Sequence, residues 1–133
     1  MREISIGAQG TVTLRVGPEN TALALGSGDV PVFGTPALVA ALEQAAVAAI
    51  HAALESEETT VGTWIQVAHL AASPVGVEIR AEAELISVTG RVLTFAVRAY
   101  DTREKIAEGE HRRALLVRDR FIRKTQEKLD RAG

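Results

Sequence analysis

Hydrophobic and polar positions alternate with period two along most of this chain, and one stretch breaks the pattern. "TVTLRV" (11–16) alternates and is rich in β-branched residues, as a half-buried strand should be. "GPEN" then turns the chain. The alternation returns after residue 60. In "TVGTWIQVAHLAA" (60–72), Val61, Thr63, Ile65, Val67 and His69 fall on one face. In "VEIRAEAEL" (77–85), Val77, Ile79, Ala81, Ala83 and Leu85 point one way, and Glu78, Arg80, Glu82 and Glu84 the other. "VLTFAVRAY" (92–100) groups Leu93, Phe95, Val97 and Ala99, and "IAEGEHRRALLV" (106–117) is a last long strand with His111, Arg113, Leu115 and Val117 on one face. "SPVG", "SVTGR" and "DTREK" separate these strands, with Gly90 supplying a positive φ. Short turns predict an antiparallel meander.

The exception is "TPALVAALEQAAVAAIHAAL" (35–54), which reads as one helix. Thr35 stands where an N-cap belongs, and Pro36 takes the first helical position, where a missing N–H costs nothing. Nearly the whole circumference is apolar, so the helix must be buried on several sides. "ALALGSGDVPVF", just before it, is glycine-broken and reads as a covering loop. "DRFIRKTQEKLD" predicts a terminal helix. One apolar helix against one antiparallel sheet is an α+β layer arrangement. A single sheet cannot easily wrap such a helix, so a second copy of the chain is expected to cover the rest.

Length and composition narrow the possibilities. At 133 residues the chain is one domain, residues 1–133. A net charge of −2 gives no global signal for nucleic acid or a membrane surface; only the tail is basic, and a solvated helix face accounts for it. The absence of cysteine excludes disulfides, thiolate catalysis and cysteine metal sites, and three scattered histidines have no zinc spacing, so no metal is expected. The N-terminus lacks a long apolar run, and Glu43, Gln44 and His51 interrupt the apolar helix. The expectation is a cytoplasmic protein with no membrane span. No phosphate-binding glycine loop or serine-hydrolase elbow is present.

Glu43 is the residue that calls for an explanation. Its helical neighbours are Val39, Ala40, Ala46 and Val47, with no cation in reach along the helix. A carboxylate isolated there would have a raised pKa and be a functional candidate; the alternative is a wet stripe shared with Gln44. His69, on the face of Ile65 and Val67, is either a hydrogen-bonded core histidine or a general base near that carboxylate. Thr35 is accounted for as a cap and is compatible with a place at a pocket mouth. Gly62 interrupts a good strand, which marks a bulge or a close approach. An inward Arg113 needs an anion, either a protein carboxylate or a ligand phosphate.

Taken together, "GDVPVFGTPALVAALEQAA", "TTVGTWIQVAHLAASPVG", "VTGRVLTFAVRAYD" and "IAEGEHRRALLV" resemble the hotdog-fold acyl-CoA thioesterases, in the branch of fluoroacetyl-CoA thioesterase. The likeness runs from about Thr11 to Arg123, and its specific part is a threonine, a glutamate and a histidine at the spacing of Thr35, Glu43 and His69. The resemblance implies a long helix wrapped by an antiparallel sheet, a homodimer (or a larger assembly) with active sites at its interface, and Thr35, Glu43 and His69 as the catalytic set. It implies Gly62 beside the acyl group, with Phe33 and Arg113 as further substrate-binding positions. The substrate it implies is a small or medium acyl-CoA, with no cofactor beyond the CoA of the substrate itself. The phenylalanines that lid the pocket in the fluoroacetyl enzyme are reduced here to Phe33 in "GSGDVPVFG", which leaves the acyl group and the carrier open. The alternatives are a hotdog domain that binds acyl-CoA without turnover, and hydration or dehydration of an acyl thioester on the same fold.

Overall fold

The computed structural model describes residues 1–132. Among them the chain forms β1 (Gln9–Arg15), a one-turn helix α1 (Ala22–Leu25), the long helix α2 (Thr35–Ile50), β2 (Glu58–His69), β3 (Glu78–Thr89), β4 (Val92–Tyr100), β5 (Lys105–Val117) and α3 (Arg118–Ala132). The strands make one antiparallel sheet in the order β1-β3-β4-β5-β2. Helix α2 lies across it, chiefly over β1 and β3.

The period-two pattern of β3 and β4 translates directly into burial. Ile79, Ala81, Ala83 and Leu85 from β3, and Leu93, Phe95, Val97 and Ala99 from β4, are all core residues. They meet Leu38, Ala41, Leu42, Ala45, Ala46 and Ile50 of α2. Burying such side chains contributes roughly 1.5–3 kcal/mol each for the larger ones. Gly90, at φ 61, closes the β3–β4 hairpin in the left-handed region as expected.

Three sequence expectations are corrected. First, β3, β4 and β5 form a meander, but β2 does not join it; β2 pairs with β5 at the far edge of the sheet. "SPVG" is not a hairpin turn. Its backbone bonds go elsewhere: Phe33 N–H donates to the Ser73 carbonyl at 2.8 Å, Val32 bridges Pro74, and Val16 N–H donates to the carbonyl of Val77 at 2.9 Å. Second, the alternation of β2 changes phase. The register shifts between Gly62 and Trp64, leaving Thr63 as a bulge. Thr60 and Gly62 therefore share the inward face with Ile65, Val67 and His69, while Val61 and Thr63 do not belong to it. Third, α2 starts one residue earlier than its sequence suggests. Gly34 is the N-cap, and Thr35 is already helical, with Pro36 inside the first turn.

Within one chain, α2 is buried on one side only. Pro36, Ala40, Gln44, Val47 and Ala48 face outward, and Glu43 is half-buried among them. By length and composition the 19 residues Thr35–Ala53 are apolar enough to cross a membrane; here they form the core helix and the turn that follows it.

Candidate active site

The sequence-predicted residues gather in two groups. The first is at the start of α2. Because Gly34 caps the helix, the Thr35 hydroxyl is free, and it lies 2.8 Å from His69 Nδ1 at the end of β2. The other ring nitrogen, Nε2, is buried without a hydrogen-bond partner. In either tautomer that nitrogen is the free chemical handle of the pair. Burial pulls His69 below the ordinary histidine pKa, so the neutral ring is favoured. Both residues line a cavity of about 340 Å³ together with Ser27, Val32, Phe33 and Leu70. The loop before α2 thus does cover something, and Phe33, itself 1% exposed, closes the floor.

The second group is built two turns further along α2. Glu43 Oε2 accepts from Arg113 Nη1 at 3.1 Å across 70 residues of sequence. The isolated, sealed carboxylate expected from the helix alone is therefore corrected: β5 supplies its cation, and the Glu43 side chain is 39% exposed. The guanidinium is tied down on its other edges. Nε donates to Thr60 Oγ1 at 2.9 Å and Nη2 to the Thr60 carbonyl at 3.1 Å. Arg113 is buried, and of the two anions the sequence allowed it, a protein carboxylate is the one in place. Burial lowers its pKa and Glu43 opposes that shift, and an arginine stays protonated in any case. His111 completes the group, with Nε2 3.2 Å from Arg113 Nη1 and 3.9 Å from Glu43 Oε2.

Gly62 belongs with these residues. A Cβ there would lie 2.4 Å from Glu43 Oε2, 3.3 Å from Arg113 Nη1 and 3.3 Å from His111 Cε1. The missing side chain leaves a slot into which carboxylate, guanidinium and imidazole converge. The strand glycine was legible as a close approach, but what it approaches inside one chain is Glu43. Thr60, which grips Arg113 twice, was not singled out from the sequence; the bulge that turns it inward has no local signature.

One chain does not unite the two groups. Thr35 and Glu43 are eight residues apart on one helix, about 12 Å along its axis. Gly62 and His69 lie about 20 Å apart along β2. Among the described residues, no cluster of histidine, aspartate and glutamate could hold a metal ion.

Comparison with known proteins gives this arrangement a context. The chain is 40% identical over 97 residues to the fluoroacetyl-CoA thioesterase of Streptantibioticus cattleyicolor, covering 73% of this chain and 70% of that one. Its fold matches a threonine-to-serine variant of the fluoroacetyl-CoA thioesterase FlK in complex with acetyl-CoA, with a TM-score of 0.89 at 34% identity over 94% of this chain and 98% of that one. It also matches a hot-dog-like protein from Thermanaerovibrio acidaminovorans, with a TM-score of 0.84 at 20% identity over 92% and 91% of the two chains. The curled antiparallel sheet around one long helix is the hotdog fold. Residues 16–119, spanning both groups of site residues, match the family described as fluoroacetyl-CoA-specific thioesterase, and the chain belongs to that family.

Proposed function

We propose that this protein hydrolyses a small or medium acyl-CoA to the free acid and CoA, with Thr35, Glu43 and His69 acting in a site shared between two copies of the chain. Family membership supports thioester hydrolysis, and the FlK structure with acetyl-CoA supports an acyl-CoA as the substrate class. The observation that carries the residue assignment is the Thr35–His69 pair, held at 2.8 Å with Nε2 free at a cavity. A histidine serving only the core would have both nitrogens satisfied, as His111 does.

In this reading the thioester carbonyl sits between a neutral His69 and the Glu43 carboxylate. Glu43 either adds to the carbonyl carbon or takes the proton of a water that adds there. The C–S bond then breaks, and the thiolate leaves readily because thiols have a pKa of about 8.5. In the first route a water then cleaves the Glu43–acyl anhydride to the free acid and the carboxylate; in the second the proton held by Glu43 passes to the thiolate. Thr35 sets the ring orientation of His69, and Arg113 holds the carboxylate on the line of attack. The separation of the two groups within one chain supports a composite site. The outward face of α2 and the edge strand β2 carry them, and both are left uncovered by a single copy.

The test is thiol release from a panel of acyl-CoAs, acetyl to long-chain and aromatic. Glu43→Gln is expected to abolish turnover while remaining folded, and full activity in that variant would sink the mechanism. Mixing inactive Glu43→Gln with inactive His69→Ala should restore about a quarter of the wild-type activity, because a mixed dimer rebuilds one of its two sites. No recovery in demonstrably mixed dimers would place the whole site within one chain.

A further inference from the structure

His111 is the buried titratable group that the proposed mechanism leaves unused. It is 1% exposed, stacked on Phe95 with ring centroids 6.2 Å apart, and it lies directly beneath the Gly62 slot. Its partners fix its chemical state. Nδ1 lies 2.8 Å from the Trp64 carbonyl oxygen, which can only accept, so Nδ1 carries the proton. Nε2 lies 3.2 Å from Arg113 Nη1, which can only donate, so Nε2 offers its lone pair. The ring is a neutral Nδ1–H tautomer with both nitrogens engaged.

This matters because Arg113 Nη1 has two hydrogens. One goes to Glu43 Oε2 and the other to His111 Nε2. With Nε and Nη2 held by Thr60, the guanidinium plane is pinned from three directions, and His111 is the only one of them that shares a nitrogen with Glu43. The charged groups facing the ring are Arg113 from its own strand and Glu43 from α2; β4 presents Phe95, and β2 presents Gly62 and the Trp64 carbonyl. Protonating Nε2 would remove the acceptor and set a cation against the guanidinium. Burial, with Arg113 beside it, holds His111 below the ordinary histidine pKa, against the pull of the Trp64 carbonyl and Glu43.

We propose that His111 is a positioning residue for the hydrolysis, accepting one hydrogen of Arg113 Nη1 so that the other is aimed at Glu43. The inference rests on the acyl-CoA thioesterase reading and adds a residue to it. It also explains why the bulge sits where it does: the Trp64 carbonyl, the first after Thr63, is the anchor of the imidazole.

Two substitutions separate the two ends of the ring. The amide nitrogen of Asn overlays Nδ1, so His111→Asn keeps the bond to Trp64 and loses the acceptor for Arg113. The amide oxygen of Gln reaches the Nε2 position, so His111→Gln keeps the acceptor and loses the anchor. His111→Asn is expected to lower kcat by about 10- to 100-fold with little change in KM, while His111→Gln stays within about threefold of wild type. The reverse order, or a folded His111→Asn with wild-type kcat, overturns the proposal. Nitrogen-15 NMR of the wild-type imidazole supplies a readout independent of turnover. The ring should hold its proton on Nδ1 and stay neutral below the ordinary histidine pKa of about 6.5; a ring that titrates at or above that value, or carries its proton on Nε2, also overturns it. An inactive wild type with a neutral, Arg113-bonded ring would overturn the hydrolase reading instead.

Discussion

Replacing Gly62 by alanine tests the site more sharply than removing a charged group, because it adds only a methyl. That methyl would be placed 2.4 Å from Glu43 Oε2, where ordinary contact begins near 3.4 Å, so the carboxylate must retreat by about 1 Å. It can do so, since it is the far end of a flexible, partly exposed side chain. The move lengthens the 3.1 Å bond to Arg113 and displaces the oxygen that would act on the substrate. The buried guanidinium keeps its bonds to Thr60 and His111, so lengthening the one to Glu43 costs about 1 kcal/mol of stability. Alanine in place of glycine within a strand recovers roughly 0.5–1 kcal/mol through lower unfolded-chain entropy. These terms nearly cancel, so the urea midpoint should hardly move. A reacting group misplaced by about 1 Å, by contrast, costs on the order of 100-fold in rate. The assay is thiol release under saturating acyl-CoA, with urea unfolding in parallel. A Gly62→Ala protein with kcat within about twofold of wild type would refute the claim that the slot opposite Gly62 positions Glu43. A loss of stability above about 3 kcal/mol would refute the claim that the carboxylate can yield.

Arg113→Lys keeps the charge but forfeits the fork that grips Thr60 twice and His111 once; a loss of about 2 kcal/mol in urea unfolding is expected, together with a fall in kcat. Leu42→Ala, at a fully buried position of α2, should cost about 3 kcal/mol by the same measurement. Stability should also depend on pH through His69 and His111, both lowered in the folded chain chiefly by burial. Their contribution is fully present above the unfolded value of about 6.5. It declines as the pH falls below that, because the unfolded chain takes up protons first, and it is gone once the pH has passed the lower folded values. Urea titrations between about pH 7.5 and about pH 5 should show the decline, and His111→Gln should flatten it.

Much of the framework was legible because it is local. The charged and apolar residues of β3 separate cleanly onto two faces, and Pro36 with the apolar run behind it marks the start of α2 within a residue, though the helix ends at Ile50 and a 3-10 turn replaces the last residues expected up to Leu54. What was not legible is long-range or silent in type. Val61 and Thr63 look as strand-like as Ile65 and Val67, so nothing in composition reveals the bulge that turns Thr60 and Gly62 inward. "SPVG" has turn chemistry whether it closes a hairpin or crosses the sheet; only the bonds to Val32, Phe33 and Val16 decide. Glu43 appeared to lack a cation because helical spacing reveals neighbours at three and four residues, and its partner is 70 residues away. Thr35 as an N-cap was a sound local expectation that lost to a hydrogen bond 34 residues distant.

The sheet order also sets when the site can exist. β2 is made early but pairs only with β5, the last strand, and Glu43 waits for an arginine on that same strand. A chain emerging from the ribosome therefore carries an orphan strand of 12 residues, with His69 at its end, until β5 has been synthesised. Closing so distant a contact is slow, and an unpaired edge is adhesive while it waits. Premature termination after His69 but before Lys105 yields a species that has Thr35, Glu43 and His69 but neither the strand that pairs with β2 nor the arginine that holds Glu43.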